Sequence, residues 1–557
     1  MTPWRKLVVL CIAANVVEAS LVAGLGHDAT AGLAPQASAV APFGVFADMR
    51  WVSVYHNSWA SFGAEVVAML VVRGSMTAYA VHLAWPAGVV RPARRALALR
   101  GFLGTAFAAI LLVPSVTLLF GMASVPISWL FFAAVPVALL IALIAHPVVV
   151  GDDWWRRPWA WRTIGWVAFT FVVMNAAAGA TAAAPAAVWP LIAGAAGVFN
   201  AWAWVGIVHG VVDRRPARLI VPVAPVSLVV LAAVVVGGTA LGFAGARGQD
   251  QLRAPARGDR PEQQGPPLLV MSGYGSHWDG RERHPIPGAF AEVVFSYRGL
   301  DTQGNPLPYT SADTVKSLPV LDRMFLHQVA VLATKTSHRI AVVAESEGAL
   351  VAKTALLADP RSAVSHLVLA SPLAAPGQVS YPPPGRSGWG MAGAAGMRLL
   401  GHIFQPMTSV DLSPDNAFLA SLDAAAPSLV AAMACPLPAT HQLALRPLAD
   451  ATVTPLNARF SYPAVVVPAF HGGLIGSPSA ERIVARAIEG HTVRHDAVVD
   501  AAEDVIEAAS SAWRVPNLVP SDYPGEPPPS STCRAVARRL RALGLARVSG
   551  APAPDGP

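Results

Sequence analysis

The stretch HRIAVVAESEGALVAKTALL, His338 to Leu357, changes period in its middle. Ile340 to Val343 is a short β-branched run of the kind that forms a buried strand. From Gly348 onward the apolar residues recur at helical spacing. Between them lies Ala344-Glu345-Ser346-Glu347-Gly348, a serine with small residues two before and two after it. A strand, a sharp turn carrying serine at its tip, and a helix is the local geometry that exposes a nucleophilic hydroxyl at a sheet edge. Short small-x-Ser-x-Gly strings also arise by chance in Ala- and Gly-rich chains, so the flanking sequence has to supply the context.

Downstream, the strand-like runs His366–Ala370, His441–Arg446 and Tyr462–Phe470 alternate with helical stretches. Upstream, Leu268–Met271 leads into Ser272-Gly273-Tyr274-Gly275, and Glu292–Tyr297 and a helix beginning near Ser311 follow. This alternation predicts a mostly parallel sheet covered by helices. Residues 372–436 interrupt it with a Pro-, Gly-, Ala- and Met-rich insertion, which reads as a lid over an apolar site. Asp450 and His471 each follow a predicted strand, giving the chain order Ser346…Asp450…His471. A serine hydroxyl needs a histidine to take its proton, and the histidine needs a carboxylate to fix its tautomer. The backbone N–H groups of Glu347 and Tyr274 are the candidate oxyanion donors. Asp411 is the alternative acid, and His491 and His495 the alternative bases. Glu345 and Glu347 flank the serine closely enough to shift the histidine's pKa.

Over roughly residues 267–511 the sequence resembles the α/β-hydrolase superfamily. The string from Asp411 to Asp423, DLSPDNAFLASLD, is similar to a stretch of bacterial secreted lipases and GPI-inositol-deacylase-like lipases. The resemblance implies hydrolysis of an acyl ester or lipid substrate by a Ser-His-Asp mechanism without a cofactor. Acyltransferase or peptidase chemistry on the same triad, and an inert hydrolase-fold receptor or scaffold, are the competing readings. Two positions depart from the common pattern: the elbow opens with Ala344 instead of glycine, and Ser272 stands where many lipases have histidine.

The first 245 residues have another character. The chain is 54% hydrophobic and 13% charged, where a soluble domain carries about 25% charged residues. Nearly all the long apolar runs precede residue 246. About 20 apolar residues cross a bilayer core, and seven such runs are present, at about 7–25, 62–85, 101–122, 125–150, 163–184, 188–212 and 219–245. The expected fold is therefore an all-α transmembrane bundle of about seven helices followed by an α/β domain. The first run starts too near the N-terminus for an ordinary signal peptide and reads as an uncleaved anchor. Arg5 and Lys6, then Arg91, Arg94, Arg95 and Arg100, then Arg156, Arg157 and Arg162, then Arg214, Arg215 and Arg218 all fall in alternate loops. The positive-inside rule makes that side cytoplasmic and the second half extracytoplasmic. The loop 26–57 reads as a polar-neutral connection. Trp154, Trp155, Trp159 and Trp161 form an interfacial aromatic belt.

Glu65 and Arg73 interrupt the second span, eight residues apart on one helix face, and an ionisable residue there is a functional candidate. His82, His146 and His209 are isolated and read as packing residues. The net charge of +7 belongs to the cytoplasmic loops, and no basic stretch interleaved with aromatics points to nucleic acid. Ala246 to Pro267 reads as a flexible linker. The three cysteines carry no metal spacing. Cys435 and Cys533 would both be extracytoplasmic and form a disulfide candidate, while Cys11 lies in a span. The tail, 512–557, is Pro-rich, with a short helix bearing Arg534, Arg538, Arg539, Arg541 and Arg547 as a solvated face and a disordered end. Membrane lipids are the expected surroundings, and the residues do not fix an oligomeric state.

Overall fold

The computed structural model describes residues 1–124, 161–212, 265–281, 286–287, 290–377, 381–408, 411, 413–452, 454, 460–516 and 528–544. The fourth and seventh expected spans, most of the linker, His146, Trp154, Trp155, Trp159 and the end of the tail lie outside them. Among the described residues five helices are long and apolar enough to cross a membrane: Pro3–Gly24, Trp59–Ala84, Arg94–Ala123, Arg162–Ala183 and Ala186–Val212. They correspond to the first, second, third, fifth and sixth expected spans. Ala417–Ala434 is also strongly apolar, but Phe418, Leu422 and Leu429 are buried in the core of the second half, so its hydrophobicity is spent there.

The segment 26–57 is not a polar-neutral loop. A 3-10 turn, Asp28–Gln36, and a helix, Phe43–Val54, are packed among the spans and largely buried. Irregular backbone at this depth requires internal partners. Asn15 supplies them from the first span: its Nδ2 donates to Pro35 O at 3.0 Å and Ala193 O at 2.9 Å, and its Oδ1 accepts Ser38 N–H at 2.8 Å. Asn200 and Trp204 donate to Pro35 O, Ser38 Oγ and Ser38 O from the opposite helix. The Arg73 guanidinium is buried and donates to both carboxylate oxygens of Asp48, at 2.7 and 2.5 Å. Glu65, by contrast, is half-buried. Sharing a helix face did not make the two a pair, because Asp48 arrives from the segment between the first two spans.

The second half is built on six parallel strands: β1 Pro267–Met271, β2 Ala291–Val294, β3 Ile340–Glu345, β4 Val364–Ala370, β5 His441–Pro447 and β6 Ala464–Val467. Their spatial order is β2-β1-β3-β4-β5-β6. β1 and β3 are buried along their whole length, as strands covered on both faces must be. The direction of strand addition reverses between β1 and β3, so the crevice beyond their carboxyl ends is where an open sheet of this kind binds ligands. The strand expected at Glu292–Tyr297 is shorter. Phe295 and Tyr297 continue it as buried, irregular chain, where Gln328 bonds both Ser296 N–H and Ser296 O. The helix expected from Ser311 begins at Leu318, after a 3-10 turn at Ser311–Val315.

The insertion divides in two. Helix Met391–Thr408 lies on the membrane half, whereas Ala417–Ala434 is a core helix packed against Glu347–Ala358. Only the part before Asn416 is therefore free to be a cover. Cys435, at the end of the core helix, is joined to Cys533, which lies on helix Ser530–Ala542. That helix buries Cys533, Val536, Ala537 and Leu540 and leaves Arg534, Arg538, Arg539 and Arg541 exposed.

Residues 508–514 lock the halves together. Trp513 is buried between Phe46 and Phe171, its Nε1 donating to Asn175 Oδ1 at 2.7 Å. The buried Arg50 guanidinium donates to Ala512 O at 2.8 Å and Gln36 Oε1 at 3.1 Å. Replacing Asn15 with leucine strips Ser38 N–H of its acceptor and removes one donor each from Ala193 O and from Pro35 O, which keeps Asn200. The expected cost is about 1–3 kcal/mol for the buried groups left unmade. It is read as a lowered unfolding midpoint of the detergent-solubilised protein, beside an unchanged midpoint for a variant at exposed Arg361.

Candidate functional site

Ser346 connects β3 to the helix Glu347–Ala358 with φ 55° and ψ −114°. A non-glycine residue at positive φ is strained, and such strain is kept where the surroundings over-determine it. The neighbours explain the small residues. A Cβ on Gly273 would lie 2.9 Å from Ser346 Cβ, and one on Gly348 would lie 2.8 Å from Met271 Cγ and 2.9 Å from Ser272 O. The turn after β1 and the turn after β3 are thus in backbone contact, which requires glycine on each. Ala344 is fully buried within the strand.

Asp450 lies in a 3-10 turn, Leu448–Thr452, directly after β5, and His471 lies four residues beyond β6. The sheet brings the three expected side chains together. His471 Nδ1 is 2.7 Å from Asp450 Oδ2, and His471 Nε2 is 2.8 Å from Ser346 Oγ. With Nδ1–H donating to the carboxylate, Nε2 is left to accept the serine proton. The His471 and Asp450 side chains are 4% and 9% exposed. Burial lowers the His471 pKa, but the charge and hydrogen bond of Asp450 and the charge of Glu345 outweigh it, and the net shift is upward.

The alternatives are elsewhere. His491 and His495 are exposed beside Glu489 and Asp500. The Asp411 backbone carbonyl accepts the Tyr274 hydroxyl, and its carboxylate caps Ser413 N–H at 2.9 Å. Asn416 Nδ2 also donates to the Tyr274 hydroxyl at 2.9 Å, so the insertion clasps the residue whose N–H is a candidate oxyanion donor.

The two glutamates beside the serine have different tasks. Glu345 accepts Leu474 N–H at 2.8 Å, which ties the histidine loop to β3, and its charge bears on His471. Glu347 is fully buried, and burial pushes its carboxyl well above the usual range against the pull of the Tyr297 hydroxyl and Lys316. Tyr297 donates to Ser272 O at 2.6 Å, and the Glu347 oxygens make no hydrogen bond of ordinary geometry. A neutral Glu347 adds no negative charge beside the serine. Sequence reasoning missed Tyr297, Asn416 and the Glu345–Leu474 tie. Only Tyr297 left a signal, as a polar aromatic at the end of an apolar strand.

No group of His, Cys, Asp and Glu among the described residues could hold a metal ion. Comparison of the chain with protein-family models, curated proteins and solved structures finds no match.

A raised folded-state pKa has a signed consequence. The pairing of His471 with Asp450 contributes stability fully below the unfolded value, about 6.5, and that contribution is lost as pH rises through the higher folded value. In Asp450→Asn the charge and hydrogen bond of Asp450 are gone and only the charge of Glu345 still opposes burial, so His471 should titrate lower than in the wild type. Proton-detected NMR of labelled histidine reads this; an unmoved titration would show that Asp450 does not set it.

Proposed function

We propose that the chain is a membrane-held serine hydrolase of the α/β-hydrolase type, an esterase or lipase that works through an acyl-enzyme. One observation carries this reading: the unbroken hydrogen-bond chain Asp450–His471–Ser346 at the reversal point of a parallel sheet. Ser346 Oγ attacks the ester carbonyl while His471 Nε2 takes its proton. The same proton then goes to the leaving alcohol, and water repeats the sequence in reverse order to release the acid. Asp450 stabilises the imidazolium formed in each half. Glu347 N–H is a first-turn helix donor without an intrahelical partner, and Gly273 seats the following N–H, that of Tyr274, beside the serine. These two hold the oxyanion, each worth about 3 kcal/mol of barrier. Peptidase and acyltransferase chemistry would use the same groups; an inert scaffold would have no need to keep Ser346 at positive φ.

The active half belongs on the extracytoplasmic side. Its contacts fall near Phe120 and Gly121 on the third span, Asn175 and Gly179 on the fifth and residues 32–56 after the first. Arg91, Arg94, Arg95, Arg100 and Arg162 lie at the opposite ends of those helices.

Ser346→Ala is expected to abolish hydrolysis of short acyl esters and covalent labelling by a fluorophosphonate in isolated membranes. Wild-type protein inert to both would overturn the reading. Asp450→Asn should lower kcat by about 10⁴-fold and move the acidic limb of the pH–rate profile to lower pH. The limb reports neutral His471, so in the wild type activity rises as pH passes a value above 6.5.

A further inference from the structure

We propose that helix Met391–Thr408 is immersed in the outer boundary of the bilayer, and that the substrate delivered to Ser346 is an acyl lipid drawn from that leaflet. The proposal rests on the serine-hydrolase reading for its chemistry, but its geometry is independent.

The height of the helix relative to the membrane is fixed by its seat. A Cβ on Gly393 would meet the Phe120 ring at 2.7 Å, one on Gly396 would meet Thr117 Oγ1 at 2.8 Å, and Met397 fills the space over Gly121. His56, from the membrane half, accepts Ala392 N–H on Nε2 at 2.8 Å, while its Nδ1 donates to Val52 O at 2.7 Å. The insertion helix is thereby capped and packed by residues of the first half. About 20 residues cross the hydrocarbon core, and counting that number from Gly101, just after Arg100, ends near Phe120. Ile110 and Val113, which are 69% and 49% exposed on the same span, face lipid below this level. The seat is therefore at the membrane boundary.

The direction follows from the pairing. Three residues forward on the insertion helix, Gly393 to Gly396, match three residues back on the span, Phe120 to Thr117. The insertion helix thus runs toward the bilayer, and Leu399 and Ile403 lie one and two turns farther along. Both are exposed, at 61% and 52%. His402 shares that side and Arg398 turns away to bond Asp415, a mixture suited to headgroup depth. Trp389, half-exposed against Tyr55, marks the same level as an interfacial aromatic. Beyond this helix the insertion reaches Asp411 and Asn416, which hold Tyr274 at the site. One element therefore touches both the leaflet and the oxyanion turn, and a lipid rising along it needs no passage through bulk water.

The test uses the full chain in nanodiscs. Cys11 is buried and Cys435 is paired with Cys533, so a cysteine introduced as Leu399→Cys or Ile403→Cys takes a fluorophore selectively. Emission should be blue-shifted and quenched severalfold more by bromine-bearing phospholipid than from a label at Arg361→Cys. Quenching no greater than at Arg361 would overturn the membrane contact, whether or not the protein turns over any ester. In Leu399→Asp/Ile403→Asp, hydrolysis of a bilayer-resident diacyl lipid should fall at least tenfold while a soluble short-chain ester is cleaved within twofold of wild type. Equal losses on both substrates, or no loss on the lipid, would overturn leaflet delivery. Wild-type protein that cleaves neither substrate would sink the hydrolase reading and, with it, the lipid as substrate, while leaving the quenching result to judge the contact.

Discussion

Ser346 holds φ at 55° with ψ at −114°, a sparsely populated combination that costs about 1–3 kcal/mol, and the rest of the site is arranged around keeping it there. β3 fixes the residue before it and the helix from Glu347 fixes the residue after. Gly273 and Gly348 remove the two Cβ atoms that would otherwise push the turns apart. Ser346 N–H is spent on Ala370 O at 2.9 Å, so even the strained peptide is hydrogen-bonded. The serine can then meet His471 without moving, and a hydroxyl already in hydrogen-bond contact with its base spends little binding energy on orientation.

The histidine and the acid stand on loops, and loops need anchoring. Glu345 reaches from β3 to Leu474 N–H and so ties the loop after β6 to the strand that carries the serine. The acid loop is steadied from the other side: Ser510 Oγ donates to Ala451 O, and the helix Ala497–Ser510 carrying it rests its Ala508 carbonyl against Gly179 of a membrane span. Trp513 and the Arg50 contact to Ala512 follow within a few residues. The acid loop and the insertion helix are thus seated on the same bundle through separate contacts. An α/β domain could exist without spans, but in this one the Asp450 loop and the insertion helix are both buttressed by them.

Much of this was legible in the sequence because it depends on local pattern. Strand–turn–helix periodicity placed Ser346, and strand ends placed Asp450 and His471. The apolar runs placed the five described candidate spans to within about four residues, except the start of the third, which the helix extends back to Arg94. What escaped was set by tertiary partners. The segment 26–57 lacks an apolar run and looked like a loop, yet Asn15 and Asn200 satisfy its backbone from helices distant in sequence. Arg73 shared a helix face with Glu65, yet its partner is Asp48. Ala417–Ala434 looked like part of a lid because a core helix and an apolar cover have the same composition, and only the Cys435–Cys533 pairing and its contacts with the helix Glu347–Ala358 separate them. Glu345 and Glu347 are nearly equivalent as letters, but one reaches a loop amide and the other is sealed beside Tyr297.

The position of Glu347 bears on how a charged residue type is tolerated next to Ser346, the proposed nucleophile. An ionised carboxylate there would oppose the negative charge that develops on the carbonyl oxygen, and in a dry site that repulsion would be costly. Burial works against that carboxylate charge, pushing the Glu347 carboxyl well above its usual range. The price is a polar group with no ordinary hydrogen bond, tolerable only if something compensates, and the adjacent hydroxyl of Tyr297, itself fixed to Ser272 O, is the group in place to do so. The Ser272 carbonyl belongs to the turn that carries Tyr274. Tyr297 thus ties the end of the strand run after β2 to the turn that carries Tyr274, and Glu347 is buried next to it, so the turn after β3 and the turn after β1 share one sealed neighbourhood.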